Sequence, residues 1–295
     1  MPIDNMSWQW AIAAIIAFTV IAACLLLFYA PALHHSKSGR IEMRRLIVAQ
    51  IFIITAVVLP AFLGSYIWSL VLGGLWSRGL WEIIELQPSN TIASRKIIRL
   101  ACLICVPIPL LLMFLPIFCH GIIWLGLCML TAITIARETA YKVFFPLLLL
   151  CLAVESLLLL GHQKNGFLVI AFLYFLVETF DSFAYLVGRF FGSHKAFPQL
   201  SPGKTWEGYM GGFLLAFAGS IGFNLLIFKW GWWEFTLTWG LALIAGISGD
   251  LITSWYKRKN NRKDFAPLSS LHGGILDIYD SLLFGAIALA AVYFI

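Results

Sequence analysis

The chain has 295 residues, 61% of them hydrophobic and only 12% charged, with a mean hydropathy of +0.91. Soluble domains carry about 25% charged residues, so this composition excludes a soluble globular enzyme or binding module and indicates an integral membrane protein. The net charge of +6 is accordingly no nucleic-acid footprint, because in a multispanning chain excess Lys and Arg mainly report which loops stay in the cytoplasm.

Apolar runs of near-bilayer length predict ten transmembrane helices, at about 8–30, 46–63, 66–84, 98–115, 117–135, 143–160, 166–187, 209–229, 235–253 and 275–295. The start lacks the basic segment and small-residue cleavage site of a signal peptide, so the first run is expected to be a retained helix. Only Gly64 and Ser65 separate the second and third runs, and Arg78, Glu82 and Glu85 suggest that the third ends amphipathically at the interface. Trp230, Trp232 and Trp233 fit an interfacial belt.

Alternate loops test this division. His34–Arg45, Glu85–Arg99, Ala136–Lys142, Gly188–Glu207 and Tyr256–His272 hold seventeen of the twenty Lys and Arg residues. The opposite loops hold only Lys164 and Lys229, and Arg78 falls within a span. The bias places the five basic loops in the cytoplasm of an inner membrane, with both termini on the other side. The expectation is an all-α, polytopic membrane protein. Residues 1–165 form scaffold helices of nearly featureless hydrocarbon, and 166–295 form a catalytic region within one continuous membrane domain. Cys24, Cys102, Cys105, Cys119, Cys128 and Cys151 all lie in apolar runs. They read as buried thiols, since Cys102-x-x-Cys105 has no second pair to complete a zinc site.

Charged residues become informative from residue 166 onward. Glu178 and Asp181 are three apart on one helical face, with Tyr185 a turn further on. A carboxyl pair holding a neighbouring helix and a polar pocket near the cytoplasmic end are both consistent with that spacing. The next loop contains Ser201-Pro202-Gly203-Lys204-Thr205, followed by Glu207 and Gly208. A hydroxyl ahead of Glu at a helix start resembles a capping arrangement. A Gly, a Lys and two hydroxyls there also suit an anion, although the spacing is not that of a P-loop.

Asp250 closes the penultimate run, and Asp277 and Asp280 share a face at the start of the last. Three carboxylates at one level need a cation. An oxygen-rich site serving phosphates points to Mg²⁺ held by Asp250, Asp277 and Asp280, with Lys257, Arg258 and Lys263 neutralising phosphate oxygens. The run Lys257–Lys263 packs five basic residues into seven positions. Alone it would read as a topogenic loop attracting anionic lipid. His272 alone would be an ordinary interfacial histidine, but Gly273 and Gly274 beside it allow close backbone approach to a ligand.

These residues together resemble the phosphatidate cytidylyltransferases, the CDP-diacylglycerol synthases. Their signature runs S-x-x-K-R, K-D, then H-G-G-x-x-D-R-x-D. Here Ser254, Lys257, Arg258, Lys263, Asp264, His272, Gly273, Gly274, Asp277 and Asp280 stand at matching spacing. Upstream, D-x-x-A-Y-x-x-G is matched by Asp181, Ala184, Tyr185 and Gly188, S-P-x-K-T-x-E-G by Ser201 to Gly208, and G-D by Gly249 and Asp250. The likeness covers about residues 178–285. Two positions depart from it: Arg189 replaces a frequent Lys, and Ile278 replaces the Arg of D-R-x-D.

The resemblance implies transfer of a cytidylyl group from CTP to phosphatidic acid, giving CDP-diacylglycerol and pyrophosphate. Asp250, Asp277, Asp280, Lys257 and Arg258 would be catalytic. Asp181, Tyr185, Ser201, Lys204, Thr205, Glu207, Ser254, Lys263, Asp264, His272, Gly273 and Gly274 would bind substrate. CTP, phosphatidic acid and membrane lipids are then the partners, nucleic acid is not, and a homodimer is an arrangement the sequence leaves open. Ile278 motivates an alternative, a relative that lacks this activity or acts on another phosphorylated lipid or alcohol. An ion-coupled transporter is the remote alternative; it would place polar residues at mid-membrane, whereas here they cluster at helix ends.

Overall fold

A computed structural model describes residues 57–86, 106–135, 140–267 and 273–294. Nine α-helices occur among them: α1 (Leu59–Leu63), α2 (Ser65–Glu85), α3 (Ile108–Leu112), α4 (Ile117–Ile135), α5 (Ala140–Gly161), α6 (Gly166–Phe191), α7 (Trp206–Phe223), α8 (Trp232–Lys259) and α9 (Ile275–Phe294). Five, α5 to α9, are long and apolar enough to cross a bilayer, α7 by way of a π-turn over Asn224–Phe228. The structure is thus that of a helical membrane protein, and the count of ten is not reached among the described residues. The first predicted span lies outside them, as do most of the second and part of the fourth. What is described of those two holds only the five-residue helices α1 and α3.

The break at Gly64 is real: its φ of 121° is open to glycine and strained for other residues, and it separates α1 from α2. α6 is the axis of the assembly. Its residues from Leu168 to Val177 are all buried, with α5, α7, α8 and α9 packed around it. The α6–α7 seam is the closest. A Cβ on Gly208 would lie 2.5 Å from the Ala184 carbonyl oxygen, and one on Gly212 would lie 2.7 Å from that of Phe180. Small residues let helix backbones meet where lipid supplies no hydrophobic drive.

The 28 residues of α8 run about 42 Å at the helical rise, more than a hydrocarbon core of about 30 Å. Its last turn carries Lys257, Arg258 and Lys259, so the basic run extends a membrane helix rather than forming a free loop. The α7–α8 turn is closed by Asn224, whose amide bonds both the N–H and the carbonyl of Trp230.

One segment departs from the all-α expectation. Lys195–Phe197 (β1) and Ser201–Thr205 (β2) form an antiparallel hairpin, pairing Lys195 with Thr205 and Phe197 with Ser201. Phe197, Trp206 and Tyr209 pack as an aromatic cluster against it, and Thr205 ends it by capping α7, its Oγ1 accepting from the Gly208 N–H at 3.2 Å. The same hydroxyl lies 2.8 Å from where a Gly188 Cβ would be, which seats the hairpin on α6.

Candidate active site

Where α6, β2, α8 and α9 meet, they enclose a cavity of about 390 Å³. Four carboxylates line it: Asp181 from α6, Asp250 from α8, and Asp277 and Asp280 from α9. Lys204, Thr205 and Tyr185 complete its polar wall, and Ile278 lines it as well. The helical spacing explains much of this convergence. Asp277 and Asp280 sit about one turn apart, and Asp181 lies on α6 about two turns before Gly188, which seats Thr205 of β2.

Bringing like charges together requires compensation, and the chain supplies its own. Lys204 forms an ion pair with Asp250. Lys257 donates from Nζ to Asp277 Oδ1 at 2.6 Å, and that pair is almost wholly withdrawn from solvent. Asp280 accepts at Oδ2 from Thr253 at 2.7 Å and at Oδ1 from the Ser281 N–H at 2.8 Å. Asp277 Oδ2 takes the N–H groups of Phe265 and Gly274, at 2.8 and 2.7 Å. Burial holds the Lys204 ammonium below the ordinary lysine range, with Asp181 and Asp280 pulling it back up.

Among the described residues no three His, Cys, Asp or Glu side chains group as a formed metal site. The donor chemistry nonetheless suits a hard cation. Asp250, Asp277 and Asp280 present only oxygen to one cavity, and an ion there would compete with Lys204 and Lys257 for them.

The other sequence-derived positions divide. Ser254 is buried one turn beyond Asp250 on α8, outside the cavity lining, with its hydroxyl 3.5 Å from Asp250 Oδ1. Glu207 faces away from it, binding the backbone and ring of His194. Arg258 folds onto its own loop, donating to the Arg262 carbonyl, and Lys263 and Asp264 are exposed. Ser201 is paired within the hairpin. Gly273 and Gly274 lie at the head of α9, and His272 falls outside the described residues. Arg189 reaches Tyr185 at the cavity rim, its Nη1 2.5 Å from the phenolic oxygen.

Two contributors, Thr253 and Phe265, have no place in the sequence reading, and Glu82 has a different one. Thr253 needed only its position three residues after Asp250 to be noticed. Phe265 acts through its backbone and left no signal. Glu82 was placed at an amphipathic helix end, but it is fully buried and bonds the first N–H groups of α9. Its signal was a charged i,i+4 pair with Arg78 inside an apolar run.

A helical membrane core with lysines and aspartates gathered at one end defines a class, and comparison with known proteins names it. The chain belongs to the cytidylyltransferase family, whose pattern matches residues 43–295. Among its relatives, a phosphatidate cytidylyltransferase from Brucella abortus is 38% identical over 155 residues, 48% of this chain and 57% of that protein. One from Haemophilus influenzae is 32% identical over 181 residues, 55% and 63% of the two chains. The uncharacterised Escherichia coli protein YnbB is 38% identical over 123 residues, 42% and 41%. The chain spans little more than half the length of the curated relatives it matches.

Proposed function

We propose that the protein transfers a cytidylyl group from CTP to phosphatidic acid, acting at the cytoplasmic face of an inner membrane. The observation that carries this reading is the meeting of Asp181, Lys204, Asp250, Asp277 and Asp280, from four separate elements, in one cavity. In the reaction a phosphate oxygen of the lipid attacks the α-phosphorus of CTP. The new P–O bond joins the two, the bond to the bridging oxygen breaks, and pyrophosphate leaves. A lipid phosphate is already ionised near neutral pH, so positioning and charge neutralisation carry most of the catalysis.

Lys204 and Lys257 neutralise the triphosphate, exchanging their carboxylate partners for phosphate oxygens. Thr205 and Tyr185 offer hydroxyls at the cavity wall. We further propose Mg²⁺ as cofactor, held by Asp250, Asp277 and Asp280; bound there it would offset charge on the phosphate oxygens. The loop-charge bias supports the cytoplasmic orientation.

Ile278 on the cavity wall favours a second reading, in which another phosphorylated lipid or alcohol is the acceptor. The test is to supply purified protein in liposomes with labelled CTP, Mg²⁺ and phosphatidic acid and to follow CDP-diacylglycerol and pyrophosphate. Product dependent on all three supports the first reading. No product from the wild type, with product from Ile278→Arg, overturns it in favour of the second.

A further inference from the structure

The cavity accounts for Asp181, Asp250, Asp277 and Asp280 but not for Glu82 on α2. A carboxylate with 0% exposure in an apolar helix is expensive unless every lone pair is used. Glu82 Oε1 accepts from Arg78 Nε at 2.9 Å and from the Ile275 N–H at 2.7 Å, and Oε2 accepts from the Leu276 N–H at 2.9 Å. Arg78 turns its other end to the chain ahead of α9, its Nη2 donating to the carbonyls of Ala266 at 2.8 Å and Pro267 at 3.3 Å. One ion pair on α2 thus grips the chain on both sides of residues 268–272.

Asp277 completes the arrangement from the other side. Its Oδ2 binds the N–H groups of Phe265 and Gly274 while its Oδ1 holds Lys257. The head of α9 therefore lies between two carboxylates, and this explains the glycine pair. A Cβ on Gly273 would stand 2.3 Å from Asp277 Oδ2, and one on Gly274 would stand 2.3 Å from Glu82 Oε2. Capping one helix start needs a single acceptor. Two carboxylates plus a guanidinium fork also fix Phe265, Ala266 and Pro267 against the start of that helix.

We propose that Arg78 and Glu82 are positioning residues for the nucleotide site, holding Ala266 and Pro267 on one side and Ile275 and Leu276 on the other so that Asp277 meets Lys257 at the cavity wall. The kinetic part of this inference rests on the cytidylyl-transfer reading; the structural part does not.

Hydrogen–deuterium exchange and steady-state kinetics on Glu82→Gln and Arg78→Ala, both in lipid nanodiscs, provide the test. In Glu82→Gln an amide NH₂ faces a backbone N–H, so one bond to α9 is lost. Exchange over residues 273–280 should rise about ten-fold while 166–223 is unchanged. The value of kcat should fall about ten-fold or more, with KM for CTP within about two-fold of wild type. Arg78→Ala should loosen 263–267 more than 275–276. Unchanged exchange in both variants, or exchange rising evenly along the chain, overturns the proposal. So does a loss of kcat no larger than the loss of folded protein. A wild type with no CTP-dependent turnover overturns the activity reading instead, and locally raised exchange would still support the grip on α9.

Discussion

Between α4 and α5, Glu155 shares a hydrogen bond with His120 Nδ1 at 2.7 Å and accepts from Trp124 Nε1 at 2.8 Å. Further along the same seam the thiols of Cys128 and Cys151 lie 3.4 Å apart, with Trp76 Nε1 donating to Cys151 at 3.2 Å. Asp277 and Asp250 also sit among helices, but each is paired with a lysine and borders the cavity. The Glu155 ladder joins two helix faces through an imidazole, an indole and thiols, none of which a ligand replaces. The aspartates are paired with ammonium groups, whose charge a phosphate can equally accept. A polar group in a membrane core thus serves as a pin where its partners close the seam and as a reagent where they border a cavity.

Several substitutions break or sharpen that contrast. Asp277→Asn should have the largest effect, lowering CDP-diacylglycerol formation about 100-fold or more because Lys257 loses its charged partner. A loss of melting temperature matching the loss of turnover would make Asp277 a pin as well. Lys204→Arg should act through pH. The ammonium of Lys204 is held below the ordinary lysine range, so it loses its proton, and the cavity loses a positive charge, earlier as pH rises. A guanidinium stays charged, and the alkaline limb of kcat/KM should move to higher pH.

Glu155→Gln should leave turnover per folded molecule unchanged but cost about 1–2 kcal/mol of stability, read as a lower melting temperature in detergent. A selective loss of activity would show that the scaffold seam communicates with the site. Ile278→Arg should have the smallest effect. Adding a fork donor to the cavity wall should lower KM for CTP about three- to ten-fold with kcat little changed, and an unchanged KM would place residue 278 away from the phosphates.

Hydropathy carried most of the frame. The runs at 143–160, 166–187, 209–229, 235–253 and 275–295 reappear as α5 to α9 within a few residues, except that α8 continues six residues further as its basic end. Motif spacing located the cavity, because Asp277 and Asp280, one helical turn apart, necessarily share a face. Partnership was not legible. Glu82 looked like an interfacial charge because nothing near it in sequence shows that Ile275 and Leu276 arrive almost two hundred residues later. The scaffold looked featureless because His120, Trp124, Cys128, Cys151 and Glu155 barely lower a hydropathy average, and only the packing of α4 on α5 reveals the ladder. The hairpin was missed because a turn-rich, proline-containing loop has too little alternation to reveal two strands of three and five residues.

The glycine seam between α6 and α7 has a consequence for engineering. Replacing helical glycine by alanine ordinarily stabilises a chain by about 0.5–1 kcal/mol through its unfolded state. At Gly208 and Gly212 that route is closed, since the added methyl would meet backbone under 3.0 Å away. It is open at Gly121 and Gly126 on α4 and at Gly240 on α8, where nothing among the described residues lies within 4 Å. A thermostabilising campaign thus has an obvious map: alanines on the outer helices, and none along the joint that sets the distance between Asp181 and Lys204.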